Sequence, residues 1–211
     1  MRRCSEGRGR RLEMRDLRLC TAAPPWHHFG LHDTVRVAGR GGGPRETMSR
    51  KRRSYEAGHQ AKFLVVIDDT PECDRALYFA SRRAARVGIG VIMLRVIDTH
   101  DRNQQWLGVA DIMRAEAHEE ANLMLAKFAA RSNGIAGITP ECVIREGDTA
   151  EQILKLIDED EDISVLVLAA GVDTEGPGPL VASLGTTAGT FPVPMAIVPG
   201  HLSDEDLDAM S

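Results

Sequence analysis

Residues 62–80 read Lys62-Phe-Leu-Val-Val-Ile-Asp-Asp-Thr-Pro-Glu-Cys-Asp-Arg-Ala-Leu-Tyr-Phe-Ala80, and the change of period within them decides the fold. The first six form a short, continuous, β-branched apolar run, as a strand covered on both faces requires. Two aspartates end it. Thr70 and Pro71 then predict a helix start, with threonine as the N-cap and proline at the first helical position. Cys73, Ala76, Ala80, Ala84 and Val87 recur at steps of three and four, which predicts one buried helical face. Gly88 and Gly90 punctuate its end.

The same unit repeats toward the C-terminus. Val91–Ile97 is a second apolar run, followed by a loop from Asp98 to about Leu107. A longer helix follows, with Met113, Ala117, Ala121, Met124 and Phe128 as its inward stripe and Asn133-Gly134 as its stop. The segment around Ile138–Ile144 predicts a third strand. Asp148 caps the next helix, with Glu151 completing a capping-box-like pair and Ala150, Ile153, Leu154 and Ile157 facing inward. The acidic run 158–162 is expected to be a solvated helix end. Val165–Ala169 is a fourth strand, a short helix is expected over about Leu180–Ala188, and Pro194–Val198 is a fifth strand. The alternation predicts an α/β fold: a five-stranded parallel sheet of order 3-2-1-4-5 with helices on both faces. In such sheets ligands sit beyond the carboxyl ends of the strands where the order reverses. That crevice lies between the first and fourth strands, and it joins Asp68 and Asp69 to the glycine-rich loop that opens at Gly171.

Charge divides the 211 residues unevenly. Of 26 Lys/Arg only 12 follow residue 60, against 25 of the 31 Asp/Glu, so an acidic globular part follows a basic beginning. An acidic domain disfavours a nucleic-acid face, since phosphate contacts need clustered cations. Residues 1–60, arginine- and glycine-rich with little apolar periodicity, are expected to form a disordered basic extension. Met48-Ser49-Arg50 has the form of a natural protein start, so residues 1–47 are expected to lie upstream of the natural protein. Residues 61–200 form the domain and 201–211 an acidic tail. No apolar run approaches the ~18 residues of a membrane span and no secretory apolar core follows the basic start, so a cytoplasmic protein is expected. Cys4, Cys20, Cys73 and Cys142 have neither zinc-site nor disulfide-framework spacing. Cys73 reads as a small buried residue, with a thiol sensor as the alternative. His118, among helical acids, is expected to face solvent. No Ser-His-Asp or Cys-His set is evident.

Other five-stranded families are set aside by residues. No glycine loop ends in Gly-Lys-Ser/Thr, as a P-loop requires. Asp-Asp-Thr-Pro stands where a dinucleotide-binding domain carries G-x-G-x-x-G, and its two carboxylates are hostile to a flavodoxin phosphate. A response-regulator receiver needs an aspartate ending the third strand and a lysine ending the fifth. Here Arg145 and Pro199 stand there.

Residues 61–199 resemble the universal stress protein family. Phe63–Leu77 is similar to its opening strand, acidic turn and first helix. Glu146-Gly-Asp-Thr-Ala-Glu-Gln-Ile-Leu154 resembles its Gly-Asp-x-x-Glu-x-Ile helix start. Leu166–Gly171 resembles the strand leading to its nucleotide loop, and Phe191–Pro199 its Cys-Pro-Val-type final strand. The resemblance implies an adenine-nucleotide alpha-hydrolase-like fold, a stress-response role and a homodimer joined through the fifth strand. ATP would be held by a G-x-x-G-x9-G-[ST] loop. Gly171 matches its first glycine and Gly185-Thr186 its closing pair. Thr174 stands where the second glycine belongs, with Gly176 and Gly178 as displaced candidates. Asp68 would lie near the adenosine and Val96 would line the base pocket. Mg, held with help from Asp68, Asp69 or Asp173, would offset charge. Pro177 and Pro179 lack backbone donors, and Asp173 and Glu175 add like charge. Two alternatives therefore stay open: an interaction module with a vestigial site, and a slow ATP hydrolase using Asp68 or Asp69 on a metal.

Overall fold

The computed structural model describes residues 51–98, 107–172 and 176–211, with the side chains of 107–110 excepted. The expectations for residues 1–50, for the loop over 99–106 and for Asp173, Thr174 and Glu175 lie outside the described residues. Strand β1 (Lys62–Val66) is followed by α1 (Cys73–Val87), β2 (Gly90–Ile97), α2 (Leu107–Ala136), β3 (Glu141–Glu146) and α3 (Thr149–Glu159). The chain continues through β4 (Ile163–Ala170), α4 (Pro179–Thr186), a 3₁₀ turn (Ala188–Thr190), β5 (Met195–Pro199) and α5 (Asp204–Met210). All strand pairs are parallel and the order is β3-β2-β1-β4-β5, as the alternation predicts.

Register explains why the runs are apolar throughout. Leu64 pairs with Ile92 and Leu166, and Val65 with Met93 and Val167, so identical faces line up across the three central strands. The row containing Leu64, Ile92 and Leu166 packs under Ile153, Ile157 and Leu184 of α3 and α4. The row containing Val65, Met93 and Val167 packs under Cys73, Ala76, Leu77, Leu125 and Leu207 of α1, α2 and α5. A strand between two helical layers has no polar face to show.

Several boundaries differ from expectation. Helix α1 starts at Cys73, not after Thr70. Glu72 occupies its N-cap without a side-chain bond, because Thr70 turns its hydroxyl and backbone N–H onto Asp68 Oδ1 (2.6 and 3.1 Å). Asp68 thus makes a local turn that competes with helix formation. Val87 at the far end is exposed. On α2, Met113 is exposed and Ala117 half-buried, whereas Ala121, Leu125 and Ser132 are buried. The reason is length: 30 residues make a helix of about 45 Å, so its first half overhangs the short strands. On α3, Leu154 is exposed and Leu156 takes the inward position. Asp148 does cap α3 through Glu151 N (2.8 Å), while the Glu151 carboxylate pairs forward with Lys155.

The acidic run 158–162 is a docking point rather than a solvated end. Arg52 donates to the carbonyls of Ile157 and Asp160, Ser54 Oγ to Glu161 O (3.2 Å), and His59 Nδ1 pairs with Asp162 (2.6 Å). The carboxylates and the negative end of the helix dipole attract this basic segment. Ser54 is buried, although residues 51–60 have the composition of the extension. The acidic residues after 200 likewise form α5, whose Leu207 is fully buried. Arg82 grips its Asp208 and Arg75 its Asp204. Among the described residues no helix is long and apolar enough to cross a membrane.

Candidate functional site

The carboxyl ends of β1 and β2 meet the N-termini of α3 and α4 around a cavity of about 490 Å³. Val66 and Val96, at the strand ends, and Leu180 of α4 supply its apolar walls. Asp68, Asp69 and the capping Asp148 supply its polar rim. Asp68 is half-buried and oriented by Thr70, while Asp69 is exposed. A second cavity of about 330 Å³ adjoins it at Pro179 and is walled by Gly171, Gly176, Pro177, Gly178 and Glu72.

Six of the eight expected site residues thus come together. Asp68, Asp69 and Val96 line the first cavity, and Gly171, Gly176 and Gly178 line the second. Gly185 and Thr186 line neither. They close α4 rather than opening a helix, and Thr186 Oγ1 is spent on Ser183 O (2.7 Å). A Cβ on Gly185 would meet nothing within 4 Å, so close backbone approach is not what its glycine serves. The helix start that faces the loop is Gly178-Pro179. Gly176 and Gly178 adopt φ of 104° and 92°, a region glycine alone enters freely. A Cβ on Gly171 would lie 3.1 Å from Glu72 Oε1 and 3.3 Å from Gly176 O, so this glycine does serve close packing.

Two charged residues of the site were not anticipated. Arg95, a lone charge within the apolar run of β2, donates from Nη2 to Asp69 Oδ2 (2.6 Å) and from Nη1 to Ile67 O (3.3 Å). A guanidinium inside a run expected to be buried on both faces is a signal in its own right, since an unpaired charge there is costly. Glu72 had no sequence signal. It enters the site because α1 begins two residues later than expected, which turns a first-turn residue into part of the wall.

The remaining candidates separate clearly. Burial pushes the Cys73 thiol up to about 12, its Sγ donates to Val66 O at 3.7 Å, and it is 1% exposed. It is a packing residue with no thiolate at neutral pH, so the sensor alternative is set aside. His118 does not simply face solvent: its Nε2 meets Glu146 Oε1 at 2.5 Å, with Arg114 on the same oxygen at 2.8 Å. These two partners hold the Glu146 carboxyl below its ordinary range. Among the described residues no three His, Cys, Asp or Glu side chains converge as a cation site. Asp68 is committed to Thr70 and Asp69 to Arg95, so the donor set does not fit a resident magnesium ion.

Comparison with known proteins agrees with this geometry. The sequence matches the universal stress protein family over residues 61–199. No curated protein sequence matches the chain. Among solved structures, the chain is similar to the universal stress protein UspA from Lactobacillus plantarum, at 15% identity and a TM-score of 0.55, with 66% of this chain and 97% of that one covered. It is similar to a universal stress family protein from Burkholderia pseudomallei, at 20% identity and a TM-score of 0.51, covering 66% and 96%. A third is a universal stress protein in complex with cAMP, at 17% identity and a TM-score of 0.50, covering 66% and 97%. At such identities the structural likeness speaks to the fold alone. The cavity at the ends of β1 and β2, one strand from the expected β1/β4 crevice, and the sheet order agree with a family match over most of the chain: this chain belongs to the universal stress protein family.

Proposed function

We propose that this protein is a cytoplasmic regulator of the universal stress type that binds an adenine nucleoside or its short phosphates in the crevice above β1 and β2. The observation that carries this reading is the 490 Å³ cavity itself. It falls in the size range of small-molecule sites, with apolar walls and a few convergent polar groups. The base would rest on Val66, Val96 and Leu180, and Asp68 would accept from the ribose hydroxyls, the role an acidic residue takes in other α/β nucleotide sites. The universal stress protein described in complex with cAMP supports adenylate as the ligand class. Any magnesium would arrive with the nucleotide, because Asp68 and Asp69 already have other partners. The same reading includes a homodimer through β5. That strand is a sheet edge, and Ile197 on it is 47% exposed, a surface that invites pairing.

Calorimetric titration with adenosine, AMP, ADP and ATP, with and without magnesium, tests the ligand. Binding of adenosine or AMP that is lost in Asp68→Ala is the expected result. No heat from any of them would overturn the reading and leave a protein-interaction module. Sedimentation at micromolar concentration tests the dimer, and a strict monomer would remove it.

A further inference from the structure

We infer that Glu72 sets the length of phosphate chain the crevice accepts, admitting a nucleoside or monophosphate and excluding a triphosphate. This rests on the adenine-binding reading above. A phosphate chain leaving a nucleoside in the first cavity toward the glycine loop would pass Pro179, which the two cavities share, into the second. Glu72 stands in the wall of that second cavity.

It is held there by close packing. A Cβ on Gly200 would lie 2.9 Å from Glu72 Cβ and 2.9 Å from Ala170 O, and a Cβ on Gly171 would lie 3.1 Å from Glu72 Oε1. The Cβ end of the side chain therefore packs against the backbone at the ends of β4 and β5, and its half-buried carboxylate lies beside Gly171 at the cavity wall. No described residue donates a hydrogen bond to its carboxylate, and the described residues of the cavity wall include no lysine or arginine.

Part of the donor capacity of the loop is already spent. Gly171 N is spent on Pro177 O (3.3 Å), and Pro177 and Pro179 have no N–H. Arg95, which lies in the wall of the first cavity, is tied to Asp69. A single phosphate at the junction can be met by solvent and by the remaining amides. The β- and γ-phosphates would have to come to rest beside the Glu72 carboxylate, with no lysine or arginine among the described wall residues to offset it. Like charges at contact distance in a partly shielded site weaken binding by on the order of tenfold or more.

The test compares adenosine, AMP and ATP by calorimetry on the full chain and on Glu72→Gln, which keeps the shape of the side chain. A thermal melt of each variant verifies folding. In the parent protein AMP is expected to bind at least about tenfold more tightly than ATP. In Glu72→Gln the ATP affinity should rise by about tenfold while adenosine affinity stays constant, and Glu72→Lys should raise it further. A parent protein that binds ATP as tightly as AMP overturns the inference, as does a Gln variant with an unchanged ATP-to-adenosine ratio. Absence of adenosine binding to the parent instead refutes the reading on which the inference depends, so the two failures are told apart by the adenosine measurement alone.

Discussion

Leu207→Ala is the sharpest test of the C-terminal segment, because composition and structure assign it opposite roles. Asp204–Met210 reads as a solvated acidic tail, yet Leu207 is fully buried in the layer formed by α1 and α2. Removing three buried carbons from such a position costs about 2–5 kcal/mol. A value of about 3 kcal/mol is expected, because a seven-residue helix has no stability of its own once its anchor is lost. Its release would also expose the α1 face it covers, where Tyr78 donates to Asp208 (3.2 Å) under the guanidinium groups of Arg75 and Arg131. With a urea m-value of about 2 kcal/mol/M, the unfolding midpoint should fall by about 1.5 M. Asp208→Asn, which breaks the Arg82 pair but keeps the leucine, should produce a much smaller shift that salt erases, since that pair is open to solvent. A Leu207→Ala midpoint within about 0.2 M of the parent would refute the reasoning and return the segment to solvent.

Further outcomes follow from the same geometry. Gly200→Ala should destabilise the domain by about 1–3 kcal/mol, because its Cβ would meet Ala170 O at 2.9 Å. Gly185→Ala should be neutral or stabilising by up to about 1 kcal/mol, with open space around it; paired thermal melts check both. Native Cys73 should resist thiol reagents at pH 8 while Cys142, which is exposed, reacts, as peptide mapping after a short alkylation would show. Burial works against ionisation of Asp74, but Arg131 and Arg75 outweigh it and hold its carboxyl below its ordinary value. Its contribution is therefore present above the unfolded carboxylate value of about 3.9 and is lost as pH falls through the lower folded value. Asp74→Asn should lower stability at pH 7 and flatten the acid limb of a stability–pH curve.

The strands were legible because both of their faces are covered, which makes β1, β2 and β4 continuous apolar runs that no helix of this length would need. Their order followed from alternation and handedness. In the first cavity, Asp68 and Asp69 were legible for the same reason, because they follow a strand end, whereas Val96 was implied only by the family resemblance. The glycine loop was not, since glycine spacing records neither φ nor contact. Gly178 and Gly185 look alike in sequence, although one begins α4 at φ 92° and the other sits near its end in open space. Met113 was misplaced because helical period fixes a stripe but not how far the helix extends past the sheet, and Leu154 because the inward stripe of α3 runs through Leu156 instead. Leu207 was hidden by its neighbours, one apolar residue among acids. The seating of Arg52 and Ser54 on α3 depends on contacts over a hundred residues apart, which no local pattern contains.

That seating has a practical consequence. Lys51–His59 lies at the amino ends of the strands, while both cavities open at the carboxyl ends. The length of β1, five residues or about 17 Å, stands between them. A fluorophore or affinity handle at Tyr55, which is 82% exposed, can therefore be attached without blocking either cavity. Immobilised through that end, the protein would present the mouths of both cavities outward to the solution.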